Sequence, residues 1–298
     1  MGILRRCSRA ALDAYYCFLV NDGWATASHI ALSTLMALFP FIILVTALAA
    51  SFLGSKELAD EVARLLLETW PREVAGPIAN EIHNVLTTTR GDILTIGVAL
   101  AVYFASSGIE SLRIGLNRAY GLAETRNWVL LRIESIIYVL IGAIALLALA
   151  FLIVLGPLIL ETARLHIPFF VESNERLLFY LRYGITISAM VVALFILHAL
   201  LPAGRRGFLQ ILPGIVFTMV ASLVSGIVFG QYLTRFASNY VTMYAGLASV
   251  IIALVFLYFI AAIFVYGGEL NAAIIKSRLP HGVSLQAAQS LKPADSQA

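Results

Sequence analysis

Charge is scarce in this chain. Asp, Glu, Lys and Arg make up only 12% of its 298 residues, about half the roughly 25% of a soluble domain, which excludes an ordinary water-soluble fold. Cysteine is nearly absent. Cys7 and Cys17 both precede the first long apolar run, so no disulfide framework exists and both read as reduced thiols. The five histidines, His29, His83, His166, His198 and His281, are scattered singly and offer no metal-ligand spacing. His198, alone in an apolar run, reads as packed. No segment alternates apolar and polar residues over about ten positions, as a membrane β-barrel requires. No Gly-x-x-x-x-Gly-Lys-[Ser/Thr] loop is present, so this chain uses no ATP by itself. Neither Gly-x-Ser-x-Gly nor His-Glu-x-x-His occurs. These absences assign no catalytic residue, no metal and no cofactor. A net charge of +3 is too small to suggest nucleic acid. The first twenty residues carry Arg5, Arg6, Arg9 and Asp13 and lack the apolar core of a cleavable signal peptide.

Long apolar runs are what the chain has. Hydrophobic residues reach 60%, and the mean hydropathy is +0.91. From Phe236 to Gly268 there is no charged side chain. Lipid offers no partner to free backbone N–H and C=O groups, so such runs span a bilayer as helices of about 20 residues. The expected fold is all-α: a polytopic membrane protein of six transmembrane helices, near 28–53, 92–111, 135–160, 183–201, 209–233 and 245–271. Together they form a single membrane domain over 1–278. Residues 279–298 read as a disordered cytoplasmic tail.

The distribution of Lys and Arg orients the spans. With a cytoplasmic N-terminus, inside segments carry twelve of the 20 basic residues, among them Arg5, Arg6, Arg9, Arg113, Arg118, Arg126, Arg132, Arg205, Arg206 and Lys276. The long first outer loop instead offsets its bases with Glu57, Asp60, Glu61, Glu68, Glu73 and Glu81. Both termini are therefore expected in the cytoplasm. Residues 3–20 pair Arg5, Arg6 and Arg9 with Tyr15, Tyr16 and Phe18, which reads as an N-terminal interfacial helix. Residues 56–90 carry helical apolar spacing broken at Trp70-Pro71, which reads as an outer amphipathic helical hairpin. It is a candidate surface for a periplasmic envelope protein.

Polar residues within the apolar runs are the candidate site. Glu110, Arg113 and Asn117 lie three and four apart, so on one continuing helix they share a face and can satisfy one another. Glu269 and Asn271 close the last span at the same expected level. The five are expected to form a substrate-binding or structural polar cluster facing the cytoplasm. Arg132 and Glu134, at the start of span three, read as interfacial anchors. Pro40, Pro157, Pro202 and Pro213 are candidate helix breaks or gates, because each removes a backbone donor at membrane depth. Small-residue faces such as Gly142, Ala145 and Ala148 permit close packing within one chain or between copies, so an oligomer is compatible.

Several motifs line up in order. They are Ala37-Leu38-Phe39-Pro40, Asn117-Arg118-Ala119-Tyr120 with Glu124 and Arg126, Leu201-Pro202, Pro213-Gly214, and Gly246-Leu247-Ala248 followed by Gly267-Gly268-Glu269-Leu270-Asn271. Together, over about residues 10–276, the chain resembles the YihY/BrkB family, proteins of the bacterial inner membrane formerly misannotated as ribonuclease BN. It departs from that pattern at Phe256-Leu257-Tyr258, where Trp-Leu-Tyr is expected, and at Tyr244-Ala245-Gly246. The resemblance implies a six-helix inner-membrane protein acting in envelope biology, with members linked to serum resistance and to export of envelope lipid or lipopolysaccharide.

The function these features suit best is transport or flipping of a lipid or other amphiphilic envelope component, with membrane lipids as partners. A non-transporting membrane scaffold for envelope partners is the alternative. A ribonuclease or intramembrane hydrolase fits least, since the cytoplasmic loops are short and hold no metal triad.

Overall fold

The computed structural model describes residues 2–53, 91–166, 184–185, 187–204, 206–244 and 247–277. The expected outer hairpin at 56–90 and the expected tail at 279–298 lie outside the described residues. Among the described residues there are seven helices and no strand. They are α1 (Gly2–Val20), α2 (Gly23–Leu53), α3 (Gly91–Ala119), α4 (Trp128–His166), α5 (Ile187–Leu200), α6 (Phe208–Tyr244) and α7 (Ala248–Lys276). Within them, Gly23–Val45, Trp128–Ala148, Phe208–Phe236 and Ala248–Lys276 are long and apolar enough to cross a membrane. Ile187–Leu200 is apolar but shorter. Helix α3 is not among the four, and its last three turns carry Glu110, Arg113, Asn117 and Arg118.

Local chemistry sets the helix ends. Asn21 and Asp22 form the turn between α1 and α2, with Asp22 at φ 50°. Gly23 must be glycine, because a Cβ there would overlap the Phe18 ring. Helix α3 closes with a left-handed glycine, Gly121 at φ 63°. The Leu122 N–H returns to the Asn117 carbonyl and the Gly121 N–H to that of Arg118, the paired bonds of a Schellman motif. Helix α4 starts seven residues ahead of the expected span because Asn127 caps it, its Oδ1 accepting from the Val129 N–H at 2.9 Å. At the start of α6, Gln210 Oε1 accepts from the Gly207 N–H at 3.0 Å.

Three of the four candidate breaks do not break a helix. Pro40 and Pro213 lie inside α2 and α6. Helix α4 runs on through Gly156-Pro157, so the expected interruption by Pro157 does not occur. Membrane helices tolerate proline where neighbouring groups satisfy the freed backbone. Pro202 alone falls at a helix end, buried in the bend after α5.

The chain divides into two compact units. One comprises Met1–Ala37, Ser107–Ser135 and Ala193–Ala298. Here α6 and α7 pack antiparallel, with Phe229 on Phe256 at 5.4 Å and Phe217 on Tyr266 at 4.9 Å between ring centroids. Gly214 and Gly267 bring the two backbones together, and a Cβ on Gly214 would overlap the Gly267 carbonyl oxygen. Helix α1 packs on α7 through buried Ala14 and Phe18, and Tyr266 donates its hydroxyl hydrogen to the Ala11 carbonyl at 2.9 Å. Leu12, Tyr15, Tyr16 and Leu19 of α1 stay exposed, as do Leu223, Val224, Ile227 and Val228 of α6, apolar faces suited to lipid. The second unit comprises Leu38–Ser106 and Ile136–Val192. Its buried side chains include Leu44, Ala101, Ala105, Val139 and Ala143.

Candidate functional site

The first unit gathers nearly all the polar chemistry. Its hub is Glu124, in the loop that the Schellman turn folds back over the end of α3. One carboxylate oxygen accepts from Arg126 Nε at 2.8 Å; the other accepts from Arg126 Nη2 at 2.8 Å and from Asn117 Nδ2 at 3.0 Å. The Arg126 bonds, and then that from Asn117, outweigh partial burial and hold the Glu124 carboxyl at a pKa of about 2, down from 4.5. The two residues that Glu124 orients then grip the bend after α5. Asn117 Oδ1 accepts from the Ala203 N–H at 2.7 Å, and Arg126 Nη2 donates to the Leu201 carbonyl at 3.1 Å. Leu201, Pro202 and Ala203 are buried there, so these side chains satisfy backbone groups that water does not reach.

The start of α4 extends the network. Arg126 Nη1 reaches Glu134 at 3.0 Å. Arg113 donates to Ser135 Oγ at 2.6 Å and to the Leu131 carbonyl at 3.1 Å, with Glu134 at 3.8 Å. Glu110 accepts from Arg132 Nη1 at 2.6 Å, and Arg132 also meets Ser107. Arg132 is only 9% exposed. Arg132 and Glu134, expected as interfacial anchors, are thus members of the network, because α4 begins early enough to set them against α3.

A second set of contacts surrounds the C-terminal part of α7. Asn271 Oδ1 accepts from the Gly214 N–H at 2.6 Å, and its Nδ2 donates to the Tyr120 hydroxyl at 3.2 Å. The Arg206 guanidinium lies over the Tyr120 ring, 3.8 Å from its centroid, and donates to the Ala203 carbonyl at 2.7 Å. Glu269, 2% exposed, accepts from Asn21 Nδ2 at 2.8 Å. Beside it, Arg118 pairs with Asp22 at 2.8 Å on the surface. His198 packs on Phe264 with ring centroids 4.8 Å apart, and Thr218 lies against Gly267. Among the described residues, neither His198 ring nitrogen nor the Thr218 hydroxyl has a hydrogen-bond partner.

Among the described residues, none of Glu110, Arg113, Asn117, Glu269 and Asn271 bonds another of the five directly. Instead, Arg113 reaches Asn117 through Glu134, Arg126 and Glu124, and Asn117 reaches Asn271 through Ala203, Arg206 and Tyr120. Glu110 and Glu269 each bond elsewhere, to Arg132 and Asn21. Of the proline candidates, Pro213 immediately precedes the Gly214 N–H that Asn271 captures, and Pro202 lies in the gripped bend. Sequence reasoning did not single out Asn21, Arg206 or Thr218 for the site. Short local spacing to a known polar residue was the only signal available, and Asn21 lies far along the chain from Glu269, as Arg206 does from Tyr120. Among the described residues no group of three or more His, Cys, Asp or Glu could hold a metal ion.

A chain of long apolar helices whose buried charges interlock across helix ends is a polytopic α-helical membrane protein. Within that class the chain belongs to the BrkB family: the family model described as virulence factor BrkB matches residues 14–292. The ribonuclease-like protein YfkH of Bacillus subtilis (strain 168) is similar, 25% identical over 263 residues that cover 88% of this chain and 93% of that protein. No solved structure matches the chain.

Proposed function

We propose that this protein moves a lipid or other amphiphilic envelope component across or out of the bacterial inner membrane, without an ATPase of its own. In this reading it has six spans with both termini in the cytoplasm. The interlocked charges are then the cytoplasmic clasp that holds the helix ends in register. The observation that carries the reading is the set of buried polar groups left without partners on one side of α7. His198 meets α7 at Phe264 and Thr218 meets it at Gly267, three residues apart on one helical face, and Asn271 follows four residues on. An unpaired buried polar group costs about 1–3 kcal/mol, and polar side chains kept at membrane depth mark substrate paths. Pro202 and Pro213 flank this face and are the proposed hinge positions.

The test is reconstitution of the full chain in vesicles with fluorescent phospholipid, measuring movement between leaflets. Transport above protein-free vesicles, reduced by His198→Leu and Thr218→Val together, is the expected result. Background rates from well-folded protein would refute transport. The scaffold reading draws on a different observation, that Glu110, Arg113, Asn117, Glu269 and Asn271 all have partners within the chain. Its mark is crosslinking from Leu66 or Trp70 of the 56–90 segment to an envelope protein, with function retained in a Glu110→Gln/Glu269→Gln variant. The name of the similar Bacillus subtilis protein makes ribonuclease activity a third outcome, measured by RNA cleavage with the purified chain.

A further inference from the structure

The arginines of the clasp are all balanced. Arg132 holds Glu110, Arg126 holds Glu124 and Glu134, Arg113 lies near Glu134, and Arg118 holds Asp22. Arg206 is different. Among the described residues no carboxylate lies within ion-pair distance of it, and its one hydrogen bond goes to the neutral Ala203 carbonyl. Its Nε and Nη1 are buried and have no partner among the described residues. The Tyr120 ring fixes the guanidinium plane from one side, a cation–π stacking that leaves the N–H donors in the plane unused. The backbone start of α6 does not compete for a ligand at Gly207, because Gln210 already accepts from that N–H. Close enough to interact electrostatically with Arg206 lies His198, fully buried, with both ring nitrogens unpartnered.

A half-buried cation with two buried, idle nitrogens, within electrostatic reach of an unpartnered imidazole, is a site built for an anion. We propose that Arg206, stacked on Tyr120 and seconded by His198, binds a phosphate group, the headgroup phosphate of an anionic phospholipid or a soluble phosphate ester. Guanidinium suits this ligand because its planar donors match phosphate oxygens and remain charged at all accessible pH. Electrostatics favour the same ligand. Burial presses the Arg206 pKa down; Tyr120 opposes that, and the nearby Arg126 charge presses it down again, so a bound anion relieves a real penalty. The lipid form of this ligand rests on the transport reading above and names its substrate class; the phosphate site itself stands without it.

The experiment uses the full chain in a neutral detergent. Thermal unfolding and native mass spectrometry are followed on titration with phosphatidylglycerol, with glycerol 3-phosphate, and with inorganic phosphate. The proposal expects saturable stabilisation by at least one of the three, with affinity falling at least about tenfold in Arg206→Gln and unchanged in Arg118→Gln, whose arginine is surface-exposed and already paired. Arg206→Lys keeps the charge without the planar donors and should bind with intermediate affinity. It keeps the test valid if the glutamine variant does not fold. Stabilisation by phosphatidylglycerol alone identifies a lipid headgroup; equal Arg206-dependent stabilisation by the soluble phosphates identifies a free ester. Binding that ignores both Arg206 variants, or no binding of any probe, overturns the site. Arg206-dependent binding of phosphatidylglycerol with no movement in vesicles would sink transport and leave the site standing. Movement in vesicles unchanged by Arg206→Gln, together with binding that ignores Arg206, would do the reverse.

Discussion

Replacing Glu124 by Gln tests the clasp at its hub. The substitution keeps the size and one acceptor but removes the charge that receives Arg126 Nε and Nη2, both at 2.8 Å, and the Asn117 amide at 3.0 Å. Arg126 and Asn117 are also the two residues that hold the Leu201 carbonyl and the Ala203 N–H, so loosening them loosens the bend between α5 and α6. The magnitude follows from the carboxyl pKa. Its displacement from 4.5 to about 2 corresponds to about 3 kcal/mol at neutral pH. The Glu124 side chain is 23% exposed and that of Arg126 33%, and solvent screening reduces the expected loss to about 2 kcal/mol. That lowers the unfolding temperature by about 3 °C. The sign of the pH dependence is determined. A carboxyl with a depressed native pKa stabilises above its unfolded value and loses that stabilisation as pH falls from about 4.5 towards 2. Thermal unfolding of the wild type and Glu124→Gln in detergent is therefore compared at pH 7 and pH 3. A gap at pH 7 that shrinks to less than half at pH 3 is expected, because at pH 3 the unfolded wild type has taken up a proton at this carboxyl while the folded protein still holds it ionised. Equal stability at pH 7, or a gap that stays constant with pH, refutes the account of Glu124 as the charged hub.

Three further outcomes follow from the contacts around α7. Asn271→Leu removes the acceptor for the Gly214 N–H and the donor to Tyr120, and should cost about 1–3 kcal/mol; an unchanged unfolding temperature would count against that buried link. Gly214→Ala places a Cβ against the Gly267 carbonyl and should cost about 1–3 kcal/mol. Gly226→Ala on the same helix, where a Cβ meets nothing within 4 Å, should be neutral or stabilising, and the same unfolding measurement separates the two. Asn21→Ala leaves the Glu269 carboxylate buried without its donor and should lose about 2 kcal/mol. Adding Glu269→Gln should recover part of that loss, and a strictly additive double-mutant cycle would show that the two side chains do not interact.

The spacing of Glu110, Arg113 and Asn117 shows how far one helix can be read without its neighbours. Positions three and four apart do share a face; Arg113 and Asn117 join one polar network, and Glu110 pairs with Arg132. The expectation that they satisfy one another locally does not hold. Arg132 takes Glu110, Ser135 takes Arg113, and Glu124 takes Asn117, because each neighbouring group offers shorter and better-aimed partners than a residue one turn away. The helix breakers show the same limit. Proline removes a donor wherever it occurs, but whether the helix ends depends on what surrounds the freed carbonyl, and α2, α4 and α6 continue.

Length of apolar run and scarcity of charge determined on their own that this is an α-helical membrane protein, because lipid offers no partners to free backbone groups along such runs. They also marked Glu110, Arg113, Asn117, Glu269 and Asn271 as misplaced polar groups. Only the tertiary structure decided their partners. It joined Asn117, Tyr120, Glu124 and Arg126 to the bend at Leu201–Ala203, and set Gly214 against Gly267 with Asn271 beside them. It also left two nitrogens of Arg206 and both of His198 buried without partners among the described residues. Pairing across elements 53 to 248 residues apart depends on which helix faces meet, and no local pattern encodes that geometry.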